Sequence, residues 1–126
     1  MSPTARRELG DRGEERARRY LEERGYTFVA ANWRCAAGEL DLVMRDGEEA
    51  VFVEVKTRHG EGMGRAEEAI TTVKGRRLLA AAEWFLAERP ELAEVIWRVD
   101  LVAITLDRAG GIDRLTHVIN AVNAGS

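Results

Sequence analysis

Two neighbouring stretches with a two-residue hydrophobic period constrain the fold of this chain more than any other feature. In the second stretch, residues 50–58, three valines alternate with Phe52, Glu54 and Lys56. Alternate side chains of a β-strand share a face, so Glu54 and Lys56 are expected to lie together, opposite the valines. The pattern therefore predicts a strand with one apolar face and an acid and a base on the other.

The first stretch, residues 38–43, has the same period and is joined to the second by a turn. Its acids, Glu39 and Asp41, alternate with leucines, and Asp46-Gly47 is a strong hairpin signal. Folding at that turn makes the two stretches antiparallel neighbours. We therefore expect Asp41 to approach Glu54 and Lys56 on the partner strand.

Two carboxylates and an ammonium in one patch are the groups of a hydrolytic metal site. Carboxylate oxygens are hard ligands that suit Mg²⁺ or Mn²⁺, which proteins usually hold with one or two carboxylates, water and substrate phosphate. A lysine there could polarise the attacking water or stabilise charge on a phosphate. The alternative is that Glu54 and Lys56 form an ordinary ion pair on a solvated strand face.

The chain has 126 residues, of which 45% are hydrophobic, enough for one globular core and too few for two comfortable domains. We predict a single domain over residues 1–126, with 120–126 a loosely ordered tail. No apolar run approaches the roughly 20 residues that span a bilayer. The arginine-rich N-terminal segment lacks the apolar core of a secretory signal, so no membrane contact and a cytoplasmic location are expected. The lone cysteine, Cys35, excludes an internal disulfide and is interpreted as a small apolar residue.

The net charge of −3 argues against a protein that coats nucleic acid, but the charge is unevenly distributed. Residues 35–55 carry one arginine against six acids, whereas residues 56–77 carry six basic residues against three acids. An acidic hairpin flanked by basic segments is what a metal site in a phosphate-binding groove would show. Solvated helix faces would give the same counts, so both interpretations stay open.

Two long helices are predicted outside the hairpin. Residues 4–24 form an amphipathic pattern that Gly25 can cap, and Glu14 on this helix is a candidate to reach the hairpin site. The second helix starts at Thr71 or Thr72 as N-cap and runs to about residue 89. Lys74, Arg76 and Arg77 cluster at its start, where cations oppose the helix dipole; phosphate contact and plain solvent exposure are the two explanations.

Three further strands complete the prediction: residues 26–32, 96–106 and 115–119. The order is α-β-β-β-α-β-β, a mixed α/β domain. The glycine-rich segment 59–64 is predicted to be a mobile loop and 65–70 a short helical turn. His59 in that loop is interpreted as a bystander and His117 in the last strand as structural.

With these residues placed, the chain resembles the PD-(D/E)xK nuclease superfamily, and more closely the bacterial endonuclease-like family known as UPF0102 or YraN. The resemblance covers roughly residues 10–104. The matching residues are Gly13-Glu14, Leu21, Gly25-Tyr26, Asn32, Gly38-Glu39-Leu40-Asp41-Leu42, Phe52-Val53-Glu54-Val55-Lys56-Thr57-Arg58, Gly64, Lys74, Arg77-Leu78, Arg98 and Asp100. It implies a restriction-endonuclease-like core with a five-stranded mixed sheet flanked by helices.

The resemblance also implies roles for individual residues. Asp41 looks like the first metal-binding aspartate of the superfamily, Glu54 like the acid and Lys56 like the lysine of its (D/E)xK element. Glu14 is similar to the helix glutamate that joins the metal site of archaeal Holliday-junction resolvases. Glu39 matches the acid of a Gly-Glu-x-Asp signature, as a further acid without a defined role. The chain departs from the superfamily pattern in having no proline immediately before Asp41.

The activity implied is phosphodiester hydrolysis with Mg²⁺ or Mn²⁺ held by Asp41, Glu54 and the carbonyl of Val55. Arg58, Lys74 and Arg77 would hold the nucleic-acid backbone. DNA, structured or branched, is favoured over RNA as the partner, and junction cleavage would favour a homodimer. The alternative is a nucleic-acid-binding or partner-docking module that keeps the fold with little hydrolytic activity.

Overall fold

The computed structural model describes residues 3–59 and 70–122, with side chains described from residue 12 onward. Over these residues, two helices and five strands follow one another in the predicted order α-β-β-β-α-β-β. Their bounds are α1 Pro3–Glu23, β1 Thr27–Cys35, β2 Gly38–Asp46, β3 Glu49–His59, α2 Thr72–Ala87, β4 Trp97–Leu106 and β5 Ile112–Val122. A single 3₁₀ turn, Pro90–Leu92, connects α2 to β4. Of the helices described, none has the length and apolar character needed to cross a bilayer.

The five strands form one sheet in the order β1-β2-β3-β4-β5, and the sheet is mixed, as predicted. All neighbours are antiparallel except β3 and β4, which are parallel. Parallel neighbours need a crossover connection, and α2 lies within the connection between them. The two strands of the predicted hairpin, β2 and β3, are therefore followed by a helix that returns across the sheet.

Each face of the sheet is covered by one helix. Phe52 of β3 packs with Leu78 and Phe85 of α2, while Val51 and Val53 of β3 pack in a second cluster with α1. The division follows the two-residue period of β3, because alternate side chains point to opposite faces. The predicted separation of the β3 valines from Phe52 and Glu54 is confirmed.

Several element boundaries differ from the sequence prediction. The last strand continues to Val122 rather than ending at residue 119, so residues 120–122 belong to β5 and not to a loose tail. The side chain of Asp100 accepts a hydrogen bond from the backbone N–H of Asn120, which anchors this extension. His59 ends β3 instead of starting a loop. Residues 60–69, which hold most of the predicted loop (59–64) and helical turn (65–70), and tail residues 123–126 lie outside the described residues.

Candidate functional site

A pocket lies where β2 separates from β3, under the start of α2. Its cavity has a volume of about 430 Å³. It is lined by two kinds of residue, charged groups and small or apolar groups that shape the walls: Gly38, Glu39, Asp41, Glu54, Thr71, Val73, Lys74, Arg77 and Leu78. Two strands of the predicted hairpin and the cationic start of α2 thus meet in one concave surface.

The pocket opens because the pairing of β2 with β3 stops before the end of either strand. Leu42 and Val53 are the last paired residues of this ladder. Two residues further along β3, the backbone N–H of Val55 donates to Asp41 Oδ2 at 2.8 Å. A side-chain carboxylate thereby replaces the backbone carbonyl that a paired strand would offer, and it satisfies a donor that would otherwise lose its partner.

The departure of β2 also changes the side-chain alternation that the sequence predicted. Leu40 packs in the cluster under α2, whereas Leu42 packs in the cluster under α1. Residues two apart on a regular strand share a face. The strand is therefore twisted between them, at Asp41, which keeps the carboxylate of Asp41 in the pocket beside Glu54.

Asp41 and Glu54 form a closely spaced acid pair. Glu54 is buried, with 8% of its side chain exposed. Burial, followed by the nearby carboxylate of Glu54, raises the pKa of Asp41 to about 7. Two carboxylates that share a low-dielectric site resist being ionised together, and a bound cation would relieve that repulsion.

The start of α2 supplies the cations that face this acid pair. Thr71 is the N-cap, and its hydroxyl accepts from the backbone N–H of Lys74 at 3.1 Å. Lys74 Nζ lies 3.2 Å from Glu54 Oε1. Arg77, one turn further along the helix, approaches Gly38 at the opposite wall. The sequence placed Lys74 and Arg77 in this neighbourhood, but it gave no indication that Lys74 pairs with Glu54.

Other predicted site residues lie at the edge of the pocket or away from it. Glu39 lines the pocket and forms an ion pair with Arg34 at 3.7 Å. Lys56 is exposed on β3, two residues beyond Glu54, and is not among the lining residues. Arg58 lies two residues further along the same strand. These positions leave their predicted roles as predictions.

Glu14 lies on α1, the helix that covers the opposite face of the sheet, and does not line the pocket. Its neighbour Gly13 touches β3, because a Cβ added there would lie 2.1 Å from Thr57 Oγ1. This close approach explains the glycine, since any larger residue would force either the Thr57 side chain or the helix to shift. Within the described part of the chain, no three His, Cys, Asp or Glu side chains converge on a possible metal position. The predicted contribution of Glu14 to a metal site is therefore untested.

Sequence reasoning missed two features of the pocket. Val73, an apolar residue in the predicted second helix, is 58% exposed and lies at the rim of the pocket. Thr71 is a lining residue as well as the N-cap. The signal for both was their position at the first turn of α2, a place that could have been recognised only with the helix start fixed.

A second charged cluster lies on the α1 face of the sheet, around Asp100. This carboxylate is completely buried, accepts from Arg98 Nε at 3.0 Å and lies 2.8 Å from His117 Nε2. Arg98 also donates to the Tyr26 hydroxyl at 2.8 Å and pairs with Glu49. The interpretation of His117 as structural agrees with this network, in which each buried charge has a partner.

The fold and pocket define this protein as a small three-layer α/β domain with a partly buried acid pair beside a cationic helix start. The chain belongs to the uncharacterised protein family UPF0102, whose family model matches residues 13–104. It is 48% identical over 120 residues to a UPF0102 protein of Chloroflexus aurantiacus, covering 95% of this chain and 97% of the relative. It is 45% identical over 117 residues to a UPF0102 protein of Roseiflexus castenholzii, covering 93% and 94% of the two chains.

Proposed function

We propose that this protein is a metal-dependent endonuclease that hydrolyses phosphodiester bonds in nucleic acid, with structured or branched DNA as its substrate. The observation that carries the proposal is the acid pair of Asp41 and Glu54, set in one pocket with Lys74 and Arg77. The resemblance to the PD-(D/E)xK superfamily, which rests on Asp41, Glu54 and Lys56, supports the same activity.

The pocket residues fit a hard divalent cation such as Mg²⁺ or Mn²⁺. Asp41 and Glu54 would hold it together with the carbonyl of Val55, the residue whose N–H already fixes the Asp41 carboxylate. Because these are few protein ligands, room would remain for water and phosphate oxygens, as Mg²⁺ sites usually require. When bound, the cation supplies charge neutralisation on the phosphate and lowers the pKa of a coordinated water.

The remaining charged side chains are assigned to the substrate. Lys74 and Arg77 at the start of α2, with Arg58 on β3, would contact the phosphate backbone, and such contacts weaken with added salt. Lys56, on the same face of β3 as Glu54, would stabilise charge that develops during attack. Glu39 lies at the pocket wall, and mutation of this acid would test whether it takes part in the reaction.

The test is cleavage of a mixed pool of branched, flapped and linear DNA, with matching RNA, in Mg²⁺ or Mn²⁺. Wild-type protein should cut at least one member of the pool. The Asp41→Asn and Glu54→Gln variants should lose cleavage, whereas Asp113→Asn, an exposed aspartate on β5, should keep it. Cleavage that survives in both pocket variants would exclude this site.

A second candidate is a nucleic-acid-binding or partner-docking module with little hydrolytic activity. One observation favours it: Lys74 pairs with Glu54, so the protein itself compensates part of the acidic charge in the pocket. Nucleic-acid binding that is independent of divalent cations, together with no cleavage of any substrate in the pool, would support this candidate over the nuclease.

A further inference from the structure

Lys74 forms an ion pair with Glu54, the side chain that the proposed function needs as a metal ligand. Lys74 Nζ is 3.2 Å from Glu54 Oε1. The partners differ in environment, because 41% of the Lys74 side chain is exposed and only 8% of the Glu54 side chain is. The buried acid is fixed, whereas the lysine ends a flexible four-carbon stem that borders solvent.

The backbone of Lys74 is anchored, whereas its side chain is partly exposed at the edge of the pocket. Its N–H is bound by the N-cap Thr71 at 3.1 Å, which anchors the first turn of α2. A cation in that turn opposes the helix dipole, so the lysine needs an anion nearby. Glu54 inside the pocket is one such anion, and a phosphate of bound nucleic acid at the pocket mouth beside Arg77 would be a second.

We propose that Lys74 is an exchangeable counter-ion of the acid pair, displaced from Glu54 when a divalent cation binds and taken over by a phosphate of the nucleic acid. The inference rests on the proposed function and deepens it. Metal and nucleic acid would then bind with positive coupling. The phosphate would draw Lys74 away from Glu54 and so free this acid for the metal, and the metal would displace Lys74 and so free it for the phosphate. Such coupling is reciprocal by thermodynamic linkage.

The experiment is a calorimetric titration of Mn²⁺ into wild-type protein and into the Lys74→Gln variant. Glutamine removes the charge and keeps a polar side chain only slightly shorter than lysine. The matched control is Arg76→Gln, which removes a positive charge from the same exposed turn of α2 without touching the pocket lining. All titrations are made at pH 8.5, above the pKa of Asp41, so that proton release does not mask the comparison. Circular dichroism of each variant verifies folding.

Lys74→Gln should bind Mn²⁺ roughly fivefold more tightly than wild type, the factor that corresponds to a half-exposed ion pair. Arg76→Gln should change the affinity by less than about twofold, because Arg76 is exposed to screening by solvent and does not line the pocket. Equal or weaker Mn²⁺ binding by Lys74→Gln would overturn the exchange and leave the proposed nuclease site intact. Absence of Mn²⁺ binding in both proteins would overturn the exchange and the proposed metal site together.

A second arm repeats the titration with a DNA duplex whose phosphorothioate linkages resist hydrolysis. The duplex should tighten Mn²⁺ binding by wild type, and the enhancement should be smaller in Lys74→Gln by about the same fivefold factor. An enhancement of equal size in the two proteins would mean that Lys74 does not link the two ligands, whatever the duplex contributes by itself.

Discussion

Asp41, which is partly exposed, and Asp100, which is completely buried, lie on opposite faces of one sheet and have opposite electrostatic environments. Burial alone would raise the pKa of Asp100, but hydrogen bonds from His117, from the backbone of Asn120 and from Arg98 bring it below its ordinary value. Asp41 receives one backbone hydrogen bond and faces another acid, and its pKa rises to about 7. The fold stabilises the negative charge of Asp100 and leaves that of Asp41 poorly compensated.

This difference indicates that the Asp100 network stabilises the fold, whereas the pocket around Asp41 is built for another purpose. Around Asp100, an arginine and a histidine tie together β4, β5 and the start of β1. In the pocket, an acid pair faces a half-exposed lysine that can leave. Poorly compensated charge in a concave site is a mark of function rather than of stability.

The largest expected effect comes from removing the charge at the well-compensated site. Asp100→Asn should lower the free energy of unfolding by about 3–5 kcal/mol, because Arg98 and His117 lose a buried partner. Urea denaturation at pH 7 measures the change. Asp113→Asn, an exposed aspartate on β5, is the control and should change stability by less than about 0.5 kcal/mol. A loss as small as the control would break the comparison.

The same substitution in the pocket should have the opposite sign. Because folding raises the pKa of Asp41, the wild-type protein loses stability as pH rises from about 4, near the unfolded pKa, through about 7. Asp41→Asn keeps an acceptor for the Val55 N–H. Its free energy of unfolding at pH 8 should be about 2–3 kcal/mol higher than that of the wild type. The gain should shrink toward zero near pH 4. Urea denaturation across this pH range measures it, and a destabilised variant at pH 8 would contradict the assignment.

Binding of a divalent metal should offset the loss of stability that ionised Asp41 causes in the pocket. At tenfold its dissociation constant, Mn²⁺ should stabilise the wild-type protein by about 1.4 kcal/mol through mass action. Asp41→Asn should show no such shift in a thermal melt. Since metal requires ionised Asp41, the shift should grow between pH 6 and pH 8. A shift of equal size in Asp41→Asn would place the metal elsewhere.

The smallest effect is expected from removing Lys74, the cation that faces the pocket acids. Lys74→Gln should cost no more than about 1 kcal/mol of stability, because the lysine is half-exposed and screened by water. Arg98→Gln should cost several times as much, since Arg98 bonds Asp100, Tyr26 and Glu49 with 15% of its side chain exposed. Thermal melts of both variants in metal-free buffer provide the comparison, and similar losses would mean that the two sites are equally structural.

Much of the fold could be predicted because the relevant signals are local. The alternation in residues 50–58 and the Asp46-Gly47 turn each act over a few residues, and the structure confirms the strands and the hairpin that they indicated. The encounter of Asp41 with Glu54 followed from one hairpin. Its consequence for the pKa of Asp41 did not, because burial depends on helices distant in sequence.

The sequence by itself determined which chemical groups this protein carries and which of them share a strand face, since strand period and hairpin turns are short-range properties. Only the tertiary structure decided that β2 leaves β3 at Leu42, that Asp41 then accepts from Val55, and that Lys74 crosses from α2 to Glu54. It also decided that Asp100 meets His117 across β4 and β5. These contacts depend on register and on helix placement over long sequence separations, where the burial of apolar surface, and not local propensity, fixes the geometry.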